Sequence, residues 1–285
     1  MKPLGIAQQG LWSGYLLNED RAMFNTAECI AFAGKVRSAE LIGAVQRAVA
    51  ECEALSGVFV TDQEAVFFAT CNLPLEVRQM RIPEGVEAET WVRDWAMSDI
   101  RLPMDLEQQL PCRFALLQGA EQDFLYSCVH HIALDGYGTN LLYQRIAELY
   151  SAAVTGQVAA TCGFGRYDAV LAEEQEREAK GATAAARTYW LEQFARMPEP
   201  VSFSERHAPI SARFIRHSAA FPAPLWKALN SVAEGNGVGW PDLLLAGLSA
   251  QLRQVTGSRA QTLGLMVMDR IGSGSFNLPC LQMDI

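Results

Sequence analysis

The sequence lacks the features that mark proteins of membranes, secretion and nucleic acids. Its best apolar run, LLLAGL at 243–248, is far shorter than the roughly 20 residues of a membrane-spanning helix. Its opening, MKPLGIAQQGLW, has no apolar core of the kind that a signal peptide needs. No stretch is rich in Lys and Arg, and the formal net charge is −9, which argues against binding to phosphate backbones. We therefore expect a cytoplasmic protein with neither a membrane nor a nucleic acid as its partner.

The sequence also lacks the common motifs of nucleophilic and nucleotide-dependent catalysis. It contains no G-x-S-x-G, no P-loop, no G-x-G-x-x-G after a strand and no signature of a cysteine nucleophile. Its seven cysteines are spread along the chain without C-x-x-C or zinc-type spacing, and we interpret them as reduced thiols. We therefore expect no metal site among the cysteines.

The apolar content is sufficient for one large domain or two ordinary ones. Of the 285 residues, 50% are hydrophobic and 19% are charged, as in a folded globular protein. Helical and strand-like patterns alternate without a strict βαβ repeat, which predicts an α/β fold in two similar halves. A change to loop-like and then highly charged sequence puts the boundary near 165–180, and we divide the chain into 1–170 and 171–285.

The spacing of apolar residues predicts the elements in turn. Ser38 is the expected N-cap of the second helix, Pro103 ends the third, Gly156 ends the fourth, and Gly181 breaks a long charged helix. The predicted helices cover 6–18, 38–55, 88–102, 137–156, 167–197, 222–237 and 239–257. The predicted strands are 25–34, a hairpin over 56–71 with its turn at 62–64, two strands within 111–134, 213–221, and a buried strand at 262–269 that puts Met266 and Met268 in the core.

Two adjacent histidines followed by Asp-Gly, in SCVHHIALDGYG at 127–138, are the first candidates for chemistry. If they end a strand, side chains alternate between its faces, so His130 and His131 point to opposite sides. One of them is then structural, and a metal site that uses both is disfavoured. Asp135 and Gly136 form the turn into the next helix, where glycine permits a special backbone conformation or the close approach of a ligand.

A neutral imidazole suits general-base catalysis because its pKa lies near working pH, and His131 is the candidate. Since no covalent nucleophile is evident, the imidazole would act directly on a bound nucleophile. The alternative is a capped turn whose imidazoles are satisfied by hydrogen bonds. The residues alone leave both interpretations open.

H-H-x-x-x-D-G, formed by His130, His131, Asp135 and Gly136, resembles the signature of the condensation domains of nonribosomal peptide synthetases, which belong to the wider chloramphenicol acetyltransferase-like superfamily. The resemblance extends to PLGIAQQGLW at the start, to GRYDAVLAEEQ and RTYWLEQF in the middle, and to MDRIGSGS near the end. HHIALDGYG and GVGWPDLLLA are most similar to the condensation domains of siderophore assembly lines, such as those of vibriobactin and enterobactin synthesis.

The resemblance implies a two-layer chloramphenicol acetyltransferase-like sandwich, a pseudo-dimer of two similar subdomains with the active site in a tunnel between them. It makes His131 the residue that deprotonates or positions an amine, and it makes His130 structural. It implies that Asp135 forms a structural salt bridge with Arg270. It is also compatible with an oxyanion role for the amide of Gly136.

The implied reaction is amide formation between an acyl thioester and an amine acceptor. The thioester would arrive on the phosphopantetheine arm of an acyl or peptidyl carrier protein, so the arm belongs to the substrate. The implied mechanism requires no metal ion and no diffusible cofactor of the protein's own. An ester-forming acyltransferase of the same superfamily is one alternative. A non-catalytic fragment that binds carrier proteins is another.

The ends of the chain carry two further expectations. NLPCLQMDI stops within what resembles a strand that the family continues, so we expect the second subdomain to be incomplete. PLGIAQQGLW follows the first residues directly, so we expect a free-standing or first domain.

Overall fold

A computed structural model describes residues 1–62, 65–204, 217, 219–268 and 270–282. The chain divides into two compact units. One unit runs from Met1 to Gly181 and takes in the chain again from Met266 onward, and the other is Ala182–Leu265. The division at residue 170 into two acetyltransferase-like halves remains a prediction.

The helices and strands alternate along the first unit, and the second unit contains helices. The helices are α1 Ile6–Leu17, α2 Ser38–Glu51, α3 Ala88–Asp99, α4 Gly136–Thr155, α5 Asp168–Ala179, α6 Ala182–Phe194, α7 Ala223–Gly235 and α8 Trp240–Thr256, with a 3₁₀ turn at Glu53–Leu55. The strands are β1 Lys2–Pro3, β2 Asn25–Ala31, β3 Gly57–Asp62, β4 Ala65–Thr70, β5 Val77–Arg81, β6 Cys112–Gln118 and β7 Asp123–His130.

The strands form two sheets. The larger has the order β2-β7-β6-β5, in which only the β5–β6 pair is parallel. The smaller has the order β1-β4-β3, and β3 with β4 is the predicted hairpin. Residues 63 and 64 of its predicted turn lie outside the described residues. In the larger sheet, Asn25 at the start of β2 pairs with His130 at the end of β7.

The central strand β7 is buried along its whole length and divides the core in two. Leu125 and Val129 pack with the apolar faces of α2 and α4. Phe124, Tyr126 and Cys128 pack on the opposite face, with side chains of α1, α3 and the smaller sheet. The predicted alternation along this strand is confirmed, and it follows from the period of two of extended backbone.

Helix α2 shows why the helical predictions succeeded. Its buried residues recur at helical spacing: Leu41, Ala44, Val45, Ala48 and Val49. The predicted N-cap was wrong by one residue, because Arg37 is the cap and Ser38 begins the helix. The Ser38 hydroxyl instead accepts a hydrogen bond from Nε2 of Gln118 at 3.1 Å.

Helices α2 and α4 are joined by a charged pair as well as by apolar packing. The buried Arg145 donates from Nε and Nη2 to the two carboxylate oxygens of Glu51, at 2.6 and 3.2 Å. These hydrogen bonds lower the pKa of Glu51. Gly156 ends α4 as predicted, with φ of 69°.

The charged region after residue 167 is helical and breaks where predicted, at Gly181, whose φ is 70°. In the second unit, Trp226 of α7 and Trp240 of α8 meet edge to face, with ring centroids 5.4 Å apart. Most of the predicted strand at 213–221 lies outside the described residues. No described helix is long and apolar enough to cross a bilayer.

The predicted buried strand at 262–269 is wrong for its described residues. Residues 262–268 contain one bridging residue, Val267, and the Met266 side chain is 71% exposed rather than in the core. A strand needs neighbours that pair with its backbone, and apolar composition alone does not supply them. Strand β5, in contrast, forms although the sequence did not predict it, because VRQMR has no alternation of apolar and polar residues.

Candidate active site

The histidine pair lies where β7 ends and the chain turns towards α4. His130 is the last residue of β7, and Gly136 begins the helix. The amide of Ala133 donates to the carbonyl of His130 at 2.9 Å, which closes a tight turn between strand and helix. The structure therefore brings the motif residues to a single corner of the first unit.

His130 is fully buried, and its contacts require a neutral ring. Its Nδ1 accepts a hydrogen bond from the amide of Ile132 at 3.2 Å. The rings of Tyr15 and Phe24 approach it edge to face, with centroids 5.5 and 6.0 Å away. Burial, and to a lesser extent the neighbouring charge of His131, lower the pKa of His130 to about 4. At neutral pH this histidine carries no charge and acts as a packed hydrogen-bond acceptor.

His131 is only partly buried, and its backbone is fixed. Its amide donates to the carbonyl of Phe24 at 2.8 Å. Its Nδ1 is buried and has no hydrogen-bond partner among the described residues. Since only Nδ1 is fully buried, Nε2 is the ring nitrogen of His131 that a substrate can reach, as a general base or a positioning group requires.

Asp135 caps α4 and binds the distant end of the first unit at the same time. Its Oδ1 accepts from the amide of Gly138 at 2.7 Å, as an N-cap does. Its Oδ2 accepts from Nη2 of Arg270 at 2.8 Å and from the amide of Gln282 at 2.9 Å. Only 4% of the Asp135 surface is exposed, so this carboxylate is held by protein donors.

Arg270 is completely buried and organises the segment that follows it. Nη1 donates to the carbonyls of Ser275 and Leu278 at 3.0 and 2.6 Å, and Nη2 donates to the carbonyl of Cys280 at 2.8 Å. The guanidinium also lies 5.1 Å from the ring centroid of Tyr137. The arginine therefore holds the segment 270–282, called the tail below, in a fixed conformation. Through Asp135 it also joins this tail to the start of α4.

The two glycines at the start of α4 serve different purposes. Gly136 is exposed, has no positive φ, and a Cβ there would meet nothing within 4 Å. The predicted special backbone conformation is therefore wrong for Gly136, and close approach of a ligand remains as the reason for a glycine. Its amide has no hydrogen-bond partner within the described part of the chain.

Gly138 is the glycine that the packing of the protein itself requires. A Cβ there would lie 2.8 Å from the carbonyl oxygen and 2.9 Å from the amide nitrogen of Cys280. The absence of a side chain lets the tail pass against α4 and reach Asp135. Our sequence interpretation missed this residue, although the second glycine of DGYG was a visible signal.

Helix α5 also contacts this tail. Glu173 accepts from the hydroxyl of Ser273 and from the amide of Gly274, both at 2.6 Å. Leu278 and Cys280 pack against Tyr167 and Val170. Among the residues that the structure describes, no group of three or more His, Cys, Asp or Glu side chains is placed to hold a metal ion.

Comparison with known proteins relates this corner to a large family. A family model described as a condensation domain matches residues 1–277. The isonitrile lipopeptide synthase of Streptomyces coeruleorubidus is 34% identical over 288 residues, which covers 100% of this chain and 20% of that protein. A dimodular nonribosomal peptide synthase of Bacillus subtilis (strain 168) is 31% identical over 281 residues, which covers 98% of this chain and 12% of that protein.

Enterobactin synthase component F of Escherichia coli (strain K12) is a more distant relative. It is 25% identical over 284 residues, which covers 96% of this chain and 22% of that protein. The chain thus spans a quarter or less of these three curated relatives. The two relatives described first, at 34% and 31% identity, are not named for siderophores, so the expected likeness to enterobactin synthesis is present but not specific.

Solved structures share the fold. The first condensation domain of the calcium-dependent antibiotic synthetase, in complex with a substrate analogue, superposes with a TM-score of 0.90 at 28% identity and covers 99% of this chain and 68% of that one. The starter condensation domain of rhizomide synthetase, as a mutant in complex with C8-CoA, gives 0.87 at 24% identity and covers 99% and 65%. The predicted acetyltransferase-like α/β fold class is confirmed.

Proposed function

Because this chain belongs to the condensation-domain family, we propose that it joins a carrier-bound acyl thioester to an amine and forms an amide. The acyl group is delivered on the phosphopantetheine arm of a carrier protein, which is a substrate rather than a resident cofactor. The acceptor is an amine, and the protein supplies an imidazole, a fixed backbone and helix dipoles.

The observation that carries this proposal is the state of His131. Its backbone is held by a hydrogen bond and its ring is only partly buried, whereas His130 is fully buried, so that the unpartnered Nε2 of His130 cannot meet a substrate. A ring nitrogen left uncommitted beside a rigid loop favours chemistry over the capped-turn alternative.

The reaction balances with one proton transferred through His131. The acceptor nitrogen attacks the thioester carbonyl, a C–N bond forms, and the imidazole takes the proton that the nitrogen loses. Collapse of the tetrahedral intermediate breaks the C–S bond and expels the pantetheine thiolate, which takes that proton from the imidazolium. The products are an amide and a free thiol.

The start of α4 supports the charged intermediate. The amide of Gly136 is exposed and makes no hydrogen bond within the described residues, and it lies at the positive end of a 20-residue helix. A thioester oxygen that approaches Gly136 meets no Cβ and can accept from this amide. Asp135 and Arg270 then act as positioning residues, since they fix the first turn of that helix.

The product class that we propose is a siderophore or lipopeptide intermediate. Enterobactin synthase component F supports the first and isonitrile lipopeptide synthase supports the second. An aryl starter acid or a fatty acid is then the donor. We place this reaction in the cytoplasm, because all seven cysteines are free thiols in this fold.

The test is product formation from defined probes. The complete chain is mixed with octanoyl- or benzoyl-loaded carrier protein and with the N-acetylcysteamine thioester of leucine, and products are identified by mass spectrometry. The 2-hydroxy analogue of that acceptor tests the ester-forming alternative. Amide product that depends on the chain supports the proposal, whereas ester product alone supports the alternative.

A second candidate function is binding of carrier proteins without catalysis. The observation that favours it is the exposure of large apolar side chains within Ala182–Leu265, including Trp190, Phe194 and Trp240. Such surface predicts self-association or a bound partner. Carrier binding in pull-down with no product from any donor would favour this candidate, and a monomer by size-exclusion chromatography that forms amide would exclude it.

A further inference from the structure

Helix α1 places a buried amide against the loop that carries the histidine pair. Gln8 is 3% exposed, and its Nε2 donates to the carbonyl of Ile132 at 3.0 Å. The two residues are 124 positions apart in the chain, so this contact depends on the tertiary fold.

The hydrogen bond from Gln8 completes a set that fixes the backbone around His131. The amide of His131 is held by the carbonyl of Phe24 at 2.8 Å, and the next amide, that of Ile132, is held by Nδ1 of His130 at 3.2 Å. Gln8 holds the carbonyl of Ile132. Phe24 and His130 thus hold the peptide units on both sides of His131, and Gln8 holds the next unit, between Ile132 and Ala133. With three consecutive peptide units held, the side-chain torsions of His131 set the position of the imidazole.

The rest of the α1 face also serves the histidine pair. Gln8, Trp12 and Tyr15 follow helical spacing, so they share one face of α1. Trp12 is buried, and the Tyr15 ring meets the His130 ring edge to face. The Tyr15 hydroxyl donates to the carbonyl of Met104 at 3.1 Å, which fixes the ring in turn. One face of one helix therefore contacts both His130 and the residue after His131.

Stability alone does not explain a glutamine at this position. Its Oε1 is buried and has no hydrogen-bond partner among the described residues, which costs free energy that an apolar side chain of the same shape would not cost. Residues that break such a rule of stability tend to lie at functional sites.

We propose that Gln8 is a positioning residue for His131. It holds the carbonyl of Ile132 so that the His131 imidazole stays aligned with the acceptor nitrogen, and it contacts neither substrate. This inference rests on the proposed function. Loss of the hydrogen bond from Gln8 moves the His131 imidazole away from the geometry that proton transfer needs, so kcat falls while the KM for the acceptor stays the same.

The chain offers a matched control on the same helix. Gln9 is exposed, and its Nε2 donates to the carbonyl of Leu4 at 2.8 Å. Gln8→Met and Gln9→Met each remove one hydrogen bond from a side-chain amide to a carbonyl and keep a side chain of similar length. Both variants and the wild type are compared for unfolding midpoint, kcat and KM with benzoyl- or octanoyl-loaded carrier protein and the leucine thioester.

We expect Gln8→Met to lower kcat about tenfold with KM unchanged, and Gln9→Met to leave both unchanged. Equal kcat values for the two variants overturn the proposal. If Gln8→Met does not fold, Gln8→Glu provides a second test, because only the neutral form of the introduced carboxyl can donate to Ile132. Its kcat relative to wild type should then fall as pH rises, and a ratio independent of pH overturns the proposal.

A measurement that needs no activity separates this inference from the proposed function. The ring signals of His131 are recorded by NMR in histidine-labelled protein, with His130→Gln and His131→Gln for assignment. We expect Gln8→Met, or Gln8→Glu at high pH, to shift the His131 signals while Gln9→Met leaves them in place. If wild-type chain makes no product, the proposed function fails, and these signals still support or overturn the contact between Gln8 and the His131 loop.

Discussion

Nη2 of Arg270 lies 2.8 Å from Oδ2 of Asp135, and this buried ion pair joins the N-cap of α4 to a segment 135 residues later in the chain. Arg270 binds three carbonyls of that segment, and Asp135 binds the amide of Gly138 within the helix. The pair thus couples the folding of the tail to the geometry of the helix turn that begins at Gly136.

Asp135→Asn should lower the free energy of unfolding by about 3 kcal/mol, because it leaves the buried Arg270 without a counter-charge. Asparagine can still cap α4 through its carbonyl oxygen, but its amide nitrogen replaces Oδ2, so the two hydrogen bonds that Oδ2 accepts from Arg270 and Gln282 are lost with the charge. Urea denaturation followed by circular dichroism measures the loss. Asp168→Asn, in an exposed pair with Lys2, is the matched control and should cost less. Equal losses would contradict the account.

Gly138→Ala and Gly136→Ala should have opposite effects. A Cβ at 138 meets the backbone of Cys280 at 2.8 Å, so we expect a loss of stability of about 2 kcal/mol from overpacking. A Cβ at 136 meets no atom within 4 Å, so we expect folding to be unaffected and product formation to fall, since the new methyl group blocks the thioester. Thermal unfolding and the amide assay distinguish the two, and a stable Gly138→Ala protein would contradict the assigned packing.

The stability of the wild-type protein should depend on pH through His130. Its folded-state pKa is about 4 against an ordinary 6.5, so between these values the unfolded chain binds a proton that the folded chain does not. The contribution of His130 to the free energy of unfolding is therefore fully present above about pH 6.5. It decreases as the pH falls, by roughly 2 kcal/mol from pH 7 to pH 5. His130→Gln should lack this part of the pH dependence in urea titrations. Identical pH dependence in the two proteins would show that His130 titrates normally in the fold.

Glu173→Ala should release the turn that begins the tail. Glu173 accepts from Ser273 and Gly274, and its loss removes two hydrogen bonds to a charged acceptor. We expect faster hydrogen exchange at the amides of 273–280, with the exchange of β7 unchanged. Glu178→Ala, on the exposed part of the same helix, is the control. Equal protection of the tail in both variants would remove Glu173 from this account.

Local periodicity was enough to predict that the two histidines point to opposite faces, whereas the family resemblance indicated which of them is structural. Extended backbone alternates its side chains, so the face of His130 followed from Phe124, Tyr126 and Cys128, which the structure packs on one side of β7. The break at Gly181 and the end of α4 at Gly156 were predictable for a similar reason, since both depend on a residue that adopts positive φ.

The contacts of the tail were beyond the reach of such reasoning. The family resemblance suggested the partner of Asp135, but the carbonyls that Arg270 binds carry no side-chain signal. The clash that makes Gly138 necessary involves the backbone of Cys280, 142 positions away, and neither residue marks the other in the sequence. Gln8 was missed likewise, because nothing in the sequence distinguishes this buried glutamine from the exposed Gln9 beside it.

The segment around Met266 shows how composition can mislead. TLGLMVMD reads as a buried strand because it is apolar, yet the described residues pair at one position and expose the Met266 side chain. Apolar content indicates which residues benefit from burial, but neighbouring strands decide whether burial occurs.

The central claim, that His131 carries the chemistry, is tested most directly by the rate of amide formation in a single turnover. Acyl-loaded carrier protein and the leucine thioester are mixed with an excess of wild type, His131→Ala or His217→Ala, the last being an exposed histidine in the same chain. We predict that His131→Ala slows amide formation at least about 100-fold while His217→Ala matches wild type. Equal rates for His131→Ala and wild type would contradict the account.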